Sequence, residues 1–239
     1  MKRVITFLII IGFFLSLESF GQKRIDPIKK RYPGGEQGFM GFLMNSIIYP
    51  DSSTVKNSIG LSIARISLSA SGTITDVRII NPIDKYIDQE VIRVIKISEK
   101  KWKAVKDSDS AQVIYIQIAF TFYGITPHYC DSKTSIYESL FLQPVVITCF
   151  QIIQSKENEI LDDTTLTDSC NRLLNIGKYS DALQVLNELI KRDPFNKELY
   201  KVRIVVNSKL GKNDLVIKDN NLVNNFAKQY SLEEVKGGN

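Results

Sequence analysis

The sequence predicts an α+β unit with a small antiparallel three-stranded sheet and two helices, in the order helix-strand-strand-helix-strand, followed by a C-terminal α-helical repeat region. Three observations carry this. Apolar residues alternate with period two in three short runs, around 59–69, 73–80 and 113–122. Helical spacing appears at Phe39, Leu43 and Ile47 and again at Ile87, Val91, Val94 and Ile95. Near the C-terminus, GKYSDAL and GKNDLVI open on Gly177 and Gly211, 34 residues apart, the period of a helix–turn–helix array.

The chain begins with Met1-Lys2-Arg3, then the apolar run ITFLIIIGFFLSL, then Ser19-Phe20-Gly21. A short positive start, an apolar stretch and small residues at its end form a secretory signal, so 1–21 reads as a signal peptide and the mature chain as periplasmic. The uncharged run Val4–Leu17 falls short of the ~20 residues a bilayer span needs. An inner-membrane anchor through residues 4–17 is the alternative, with membrane contact only if the segment stays uncleaved. Residues 22–31 are polar with one proline and read as a short tether.

The first domain spans 32–124. It opens on YPGGEQGFMGFLMNSIIYP, in which Pro33-Gly34-Gly35 makes a turn and Tyr49-Pro50 stops the helix. DSSTVKNSIG is a loop or frayed turn. Ala64, Ile66 and Leu68 form the apolar face of the first strand, Ser71-Gly72 the hairpin turn, and ITDVRII the second strand. Asn81-Pro82 ends that strand. Asp88 and Glu90 sit in the first turn of the second helix, where the dipole favours carboxylates. VIYIQIAFTF is the last strand, with Ile114, Ile116, Ile118, Phe120 and Phe122 facing the core. Residues 125–160 are a connecting segment of unsettled structure: FLQPVVITCFQII fits a strand pair interrupted by Pro144 or a helix starting after it. Helical repeats occupy 161–220 and a polar tail 221–239. One and a half repeats are fewer than the ~3 such arrays usually need, so this region should pack on the first domain, on 125–160 or on a partner.

Composition excludes several function classes. The 239 residues are 44% hydrophobic and 24% charged, which argues against disorder, and the net charge of +5 comes without a basic block, which argues against nucleic acid as partner. Pro-Gly-Gly matches no phosphate-loop spacing. His128 is the sole histidine and, with Cys130, makes too few ligands for zinc. Asp84, Asp88 and Glu90 read as helix N-terminal charges, and Trp102 as a cap on the core. Lys100, Lys101, Lys103 and Lys106 read as a solvated face. Of the three cysteines, Cys130 and Cys149 are a candidate disulfide and Cys170 a free buried thiol. No catalytic, cofactor-binding or metal-binding residues are expected, and no small-molecule substrate.

The run from YPGGEQGFMGFLMNSIIYP through IGLSIARISLSASGTITDVRIINPID and IDQEVIRVIKISEKKWKAV to VIYIQIAFTF resembles the TonB C-terminal domain in its Bacteroidetes form, over residues 32–124. Residues 165–214 resemble tetratricopeptide repeats at Gly177, Tyr179, Ala182, Leu186, Leu189, Pro194, Tyr200 and Gly211. The first resemblance implies a non-enzymatic periplasmic protein-binding module, linked to transport across the outer membrane by strand pairing with a receptor or another envelope protein. It also implies a docking strand, Val113, Tyr115, Gln117, Ala119 and Thr121, or its neighbour at the sheet edge. The alternative is a periplasmic scaffold or assembly factor that uses the repeats and the α+β domain for protein contacts without energy coupling.

Overall fold

The computed structural model describes residues 26–105, 112–126, 141–150 and 160–224. The signal segment 1–21, His128 and Cys130 lie outside them. The elements run α1 (Gly35–Ser46), α2 (Asp51–Thr54), β1 (Gly60–Leu68), β2 (Ile74–Asn81), α3 (Lys85–Ile97), a 3-10 turn (Glu99–Lys101), β3 (Gln112–Phe122), β4 (Val145–Cys149), α4 (Asp163–Asn175), α5 (Tyr179–Arg192), α6 (Lys197–Lys209) and α7 (Asn213–Asn224).

The three-stranded antiparallel sheet with two helices is corrected here. The sheet is four-stranded and mixed, in the order β2-β1-β3-β4, and seven α-helices occur among the described residues. β1 pairs antiparallel with β2 and with β3, the latter from Gly60↔Phe120 to Leu68↔Gln112. β4 then adds parallel to β3, from Ile118↔Val145 to Phe122↔Cys149. Pro144 therefore precedes a strand. It sits immediately before the ladder, where its missing N–H costs no pairing.

Both faces of the sheet are covered. On one face Ala64, Ile66, Leu68, Ile114, Ile116, Ile118 and Phe120 pack with Phe39 and Leu43 of α1 and with Ile87, Val91, Val94 and Ile95 of α3. On the other, Leu61, Ile63, Val113, Tyr115 and Ala119 pack with Phe141, with Ile190 of α5 and with Tyr200 of α6. The helices after residue 160 thus rest on the α+β unit. Contact is close. A Cβ on Gly60 would come within 2.8 Å of the Lys191 carbonyl, so a side chain here would push α5 off β1. Asn81 donates to both the Leu61 carbonyl (2.7 Å) and the Lys191 carbonyl (3.1 Å), bolting the end of α5 to the sheet.

Residues 26–31, read as part of a tether, are built into the fold. Ile28 is fully buried, the Lys103 N–H donates to the Arg31 carbonyl, and the Gln112 side chain donates to the Pro27 carbonyl. Asp26 holds the start of α1: Oδ1 accepts from the Ile28 N–H (2.9 Å) and Oδ2 from the Glu36 N–H (3.0 Å). Gly34, at the N-cap, has no side chain to bond the first turn, and Asp26 does that work from outside the helix. Beyond this turn Tyr32, Phe39 and Trp102 meet edge to face with centroids 4.9–5.0 Å apart, and the Trp102 indole N–H donates to Ser98 Oγ. This is the core-capping place read for Trp102.

Candidate protein-docking edge

A sheet recruits another strand only through an edge whose backbone groups lack partners. β3 offers none along most of its length. It is bonded to β1 on one side, and on the other to β4 and to the segment leading into it: Tyr115 bridges to Phe141 and its carbonyl accepts from the Leu142 N–H (2.9 Å). The sequence-derived docking residues are accordingly buried. Val113, Tyr115 and Ala119 lie under the helical layer, Gln117 is 1% exposed, and Thr121 turns its hydroxyl to the Ile125 carbonyl (2.9 Å). β4, the neighbour at that edge, is anchored as well. Val145 and Leu142 join the core, and Gln143 bonds through its N–H to Glu36 and through its side chain to Gln37.

The opposite edge is β2, which pairs only with β1 among the described residues, as β4 pairs only with β3. Beside it runs an open groove of about 430 Å³, floored by Ile74–Val77 and walled by Ile92, Lys96 and Glu99 from α3 and the 3-10 turn. Val77 and Ile79 lean toward the α3 side, opposite Ile66 and Ala64. Asp76 and Arg78 point to the other side, where Asp76 Oδ2 accepts from Arg65 (3.2 Å) and forms an ion pair with Arg78 Nε (2.8 Å). The apolar pattern of ITDVRII does not by itself mark an edge, because edge or centre is decided by the order of strands. Its two charges were the available signal, since charged residues are how natural edges are kept from pairing indiscriminately.

No family model matches the chain, and no curated protein matches it. Among solved structures, the solution structure of the Helicobacter pylori TonB C-terminal domain is 14% identical, covering 35% of this chain and 88% of that one, at a TM-score of 0.29. A superposition of that quality carries no conclusion for this chain. The tetratricopeptide and TonB identities read from the sequence therefore lack support, and residues 163–224 are described simply as four packed helices. The transmembrane-transport assignment is withdrawn too: among the described residues no helix is long and apolar enough to cross a membrane.

Two other places gather polar side chains. Asp84 and Asp88 stand four residues apart at the head of α3. Asp84 is the N-cap, its Oδ1 accepting from the N–H groups of Tyr86 (2.8 Å) and Ile87 (3.0 Å) and from Ser53 Oγ (3.0 Å). Burial pushes its carboxyl up, but those bonds together with Ser58 hold it below the usual range. Asp88 goes the other way. Burial, helped by the charge of Asp84, raises it to about 6 against the Ile83 N–H and Lys191. Each carboxylate is tied to a backbone N–H of its own helix start, which is structural capping and not a catalytic pair. A second cavity, about 390 Å³, lies between the end of the sheet and α4–α5, by Phe120, Leu161 and Arg192. Arg192 is spoken for there, bonded to the Leu161 carbonyl, Asp163 and Glu188. Cys149 and Cys170 are free thiols, and Cys130, the partner proposed for Cys149, is outside the described residues. No group of three or more metal-ligating side chains occurs among the described residues.

Proposed function

We propose that this chain is a non-enzymatic protein-binding module of the cell envelope, acting in the periplasm, and that it binds by accepting a strand on the β2 edge. The observation that supports this is the pairing of the sheet. Among the described residues the sheet ends in two strands bonded on one side only, β4 and β2; β4 is tied to α1 through Gln143 and its core residues, whereas β2 borders the open groove beside α3. An added strand would bond the β2 backbone, and its alternate side chains would enter the groove against Ile92 and Lys96.

The test is site-specific photocrosslinking in cells. A benzophenone side chain at exposed Thr75 should give discrete crosslinks, and the same group at exposed Gln89 on α3 should not. Val77→Pro should abolish the Thr75 products while the circular dichroism of the purified variant stays that of the parent. Equal crosslinking from both positions, or no product from Thr75, would refute docking at β2. A scaffold reading draws on different residues, Val205, Leu215 and Ile217, which α6 and α7 leave exposed. It places the contact on the helical layer, where benzophenone at Ile217 would find it.

A further inference from the structure

We infer that the strand received at the β2 edge belongs to a second copy of this chain, paired antiparallel about a two-fold axis at Val77, so that Asp76 of each copy meets Arg78 of the other. The assignment rests on the docking edge proposed above and adds the identity of the partner.

The argument is one of register. When two identical strands pair antiparallel about a two-fold axis normal to the sheet, residues facing each other lie equally far either side of the centre. Centred on Val77, the regular stretch Asp76-Val77-Arg78-Ile79, which lies between the two irregularities of the β1–β2 ladder, sets Asp76 opposite Arg78 twice. Opposite charges face each other, which stabilises a cross-strand pair. Moving the centre by one residue reverses this. A centre at Asp76 puts the two carboxylates together, and a centre at Arg78 puts the two guanidinium groups together. Charge thus selects one register of the three, and in that register Val77 meets its own symmetry mate on the α3 side.

The side chains are already arranged for the exchange. Both contacts to Asp76 within one copy fall on Oδ2, from Arg65 and from Arg78 Nε, which leaves Oδ1 for the partner. Arg78 approaches Asp76 through Nε in an ion pair, and its side chain is 68% exposed, so its outer nitrogens can reach across. An edge meant only to repel would carry one sign of charge. This edge carries one of each, spaced by two, which is the self-complementary pattern.

Strand addition without a large apolar patch gives a modest interface, so the dimer should form reversibly as concentration rises. Sedimentation velocity on the full chain should show monomer passing to dimer, with the association weakening as salt is added. Asp76→Arg and Arg78→Asp should each lower the association constant by about tenfold or more, since each places two like-charged pairs across the axis. Mixed in equal amounts, the two variants should recover the dimer, because one then supplies two arginines and the other two aspartates. Arg78→Asp sits on an exposed side chain and keeps the fold. If Asp76→Arg unfolds through loss of its bond to Arg65, Arg78→Ala replaces the pair experiment, and its dimerisation should lose most of the salt dependence. A chain that stays monomeric at near-millimolar concentration overturns the inference, as does a dimer indifferent to both reversals or one not rescued by mixing. Crosslinks from Thr75 to other proteins without self-association sink the second copy and leave strand docking standing. No crosslink of either kind sinks both.

Discussion

Replacing Gly35 with alanine tests the most specific piece of local structure in the fold. Gly35 has φ +62°, a conformation that costs an L-residue about 1 kcal/mol. A Cβ there would also stand 2.1 Å from Asp26 Oδ2, the atom that accepts from the Glu36 N–H. The carboxylate has to leave, and losing an N-terminal cap costs about 1 kcal/mol more. Gly35→Ala should therefore destabilise by about 2–3 kcal/mol in urea unfolding followed by Trp102 fluorescence. Asp26→Ala alone should cost about 1 kcal/mol, for the cap. The double variant should cost about 2 kcal/mol and not the sum, since without the carboxylate there is nothing left to displace. Gly41→Ala is the control: a Cβ there meets nothing within 4 Å, and alanine should add about 0.5–1 kcal/mol of stability. If the Asp26 and Gly35 changes add within about 0.5 kcal/mol, the two residues are independent and the capping account is wrong.

Three further outcomes are expected. Asn81→Ala should cost about 2 kcal/mol in the same titration, because it strips a donor from two carbonyls, Leu61 and Lys191, at the junction of sheet and α5. Arg203→Met should cost about 3–5 kcal/mol, since it leaves Asp219, 2% exposed and held by two 2.8 Å bonds, as an unpaired buried charge. Asp88→Asn should flatten the dependence of stability on pH between about 4 and 6. The wild-type carboxyl, raised to about 6, binds its proton more tightly folded than unfolded. Its contribution is therefore full below the unfolded value near 4 and is lost as pH rises through 6. Partial exposure scales the difference between wild type and variant to about 1 kcal/mol, and an unchanged profile in Asp88→Asn would assign the slope elsewhere.

Much of the fold was legible where a single period governs a segment. α1, α3, β1, β2 and β3 lie within a few residues of where apolar spacing puts them, because each buries a face whose period can be read within its own segment. β4 was not legible. Five apolar residues after a proline satisfy strand and helix alike, and only the parallel pairing with β3 decides between them. The docking residues were misplaced for a related reason. Gln117 and Thr121 look like the wet side of a strand that alternates. Yet VIYIQIAFTF is nearly apolar throughout, the signature of a central strand covered on both faces, and that signal was present in the sequence. Asp26 gave no signal at all, since its role depends on a turn that brings it back ten residues along the chain.

The position of β4 determines what the rest of the molecule can do. Without it, β3 would expose Ile114–Phe122 along an edge whose two faces are apolar, a template for indiscriminate pairing. A charge on β3 could not guard that edge, because both of its faces are needed for the two cores. The chain closes it with its own backbone instead, using Val145 and Ile147 to extend the core under α1. β2 faces the reverse situation. Its α3-facing residues, Ile74, Val77 and Ile79, are the ones committed to the larger core, so Asp76 and Arg78 are at liberty to carry charge. Selectivity can therefore be written into β2 and not into β3. A Val145→Pro change would remove a ladder residue of β4, and reopening β3 should give concentration-dependent aggregation without saturation at a dimer. Light scattering separates that outcome from the β2 dimer, which stops at two copies because the β2 edge is consumed when it forms.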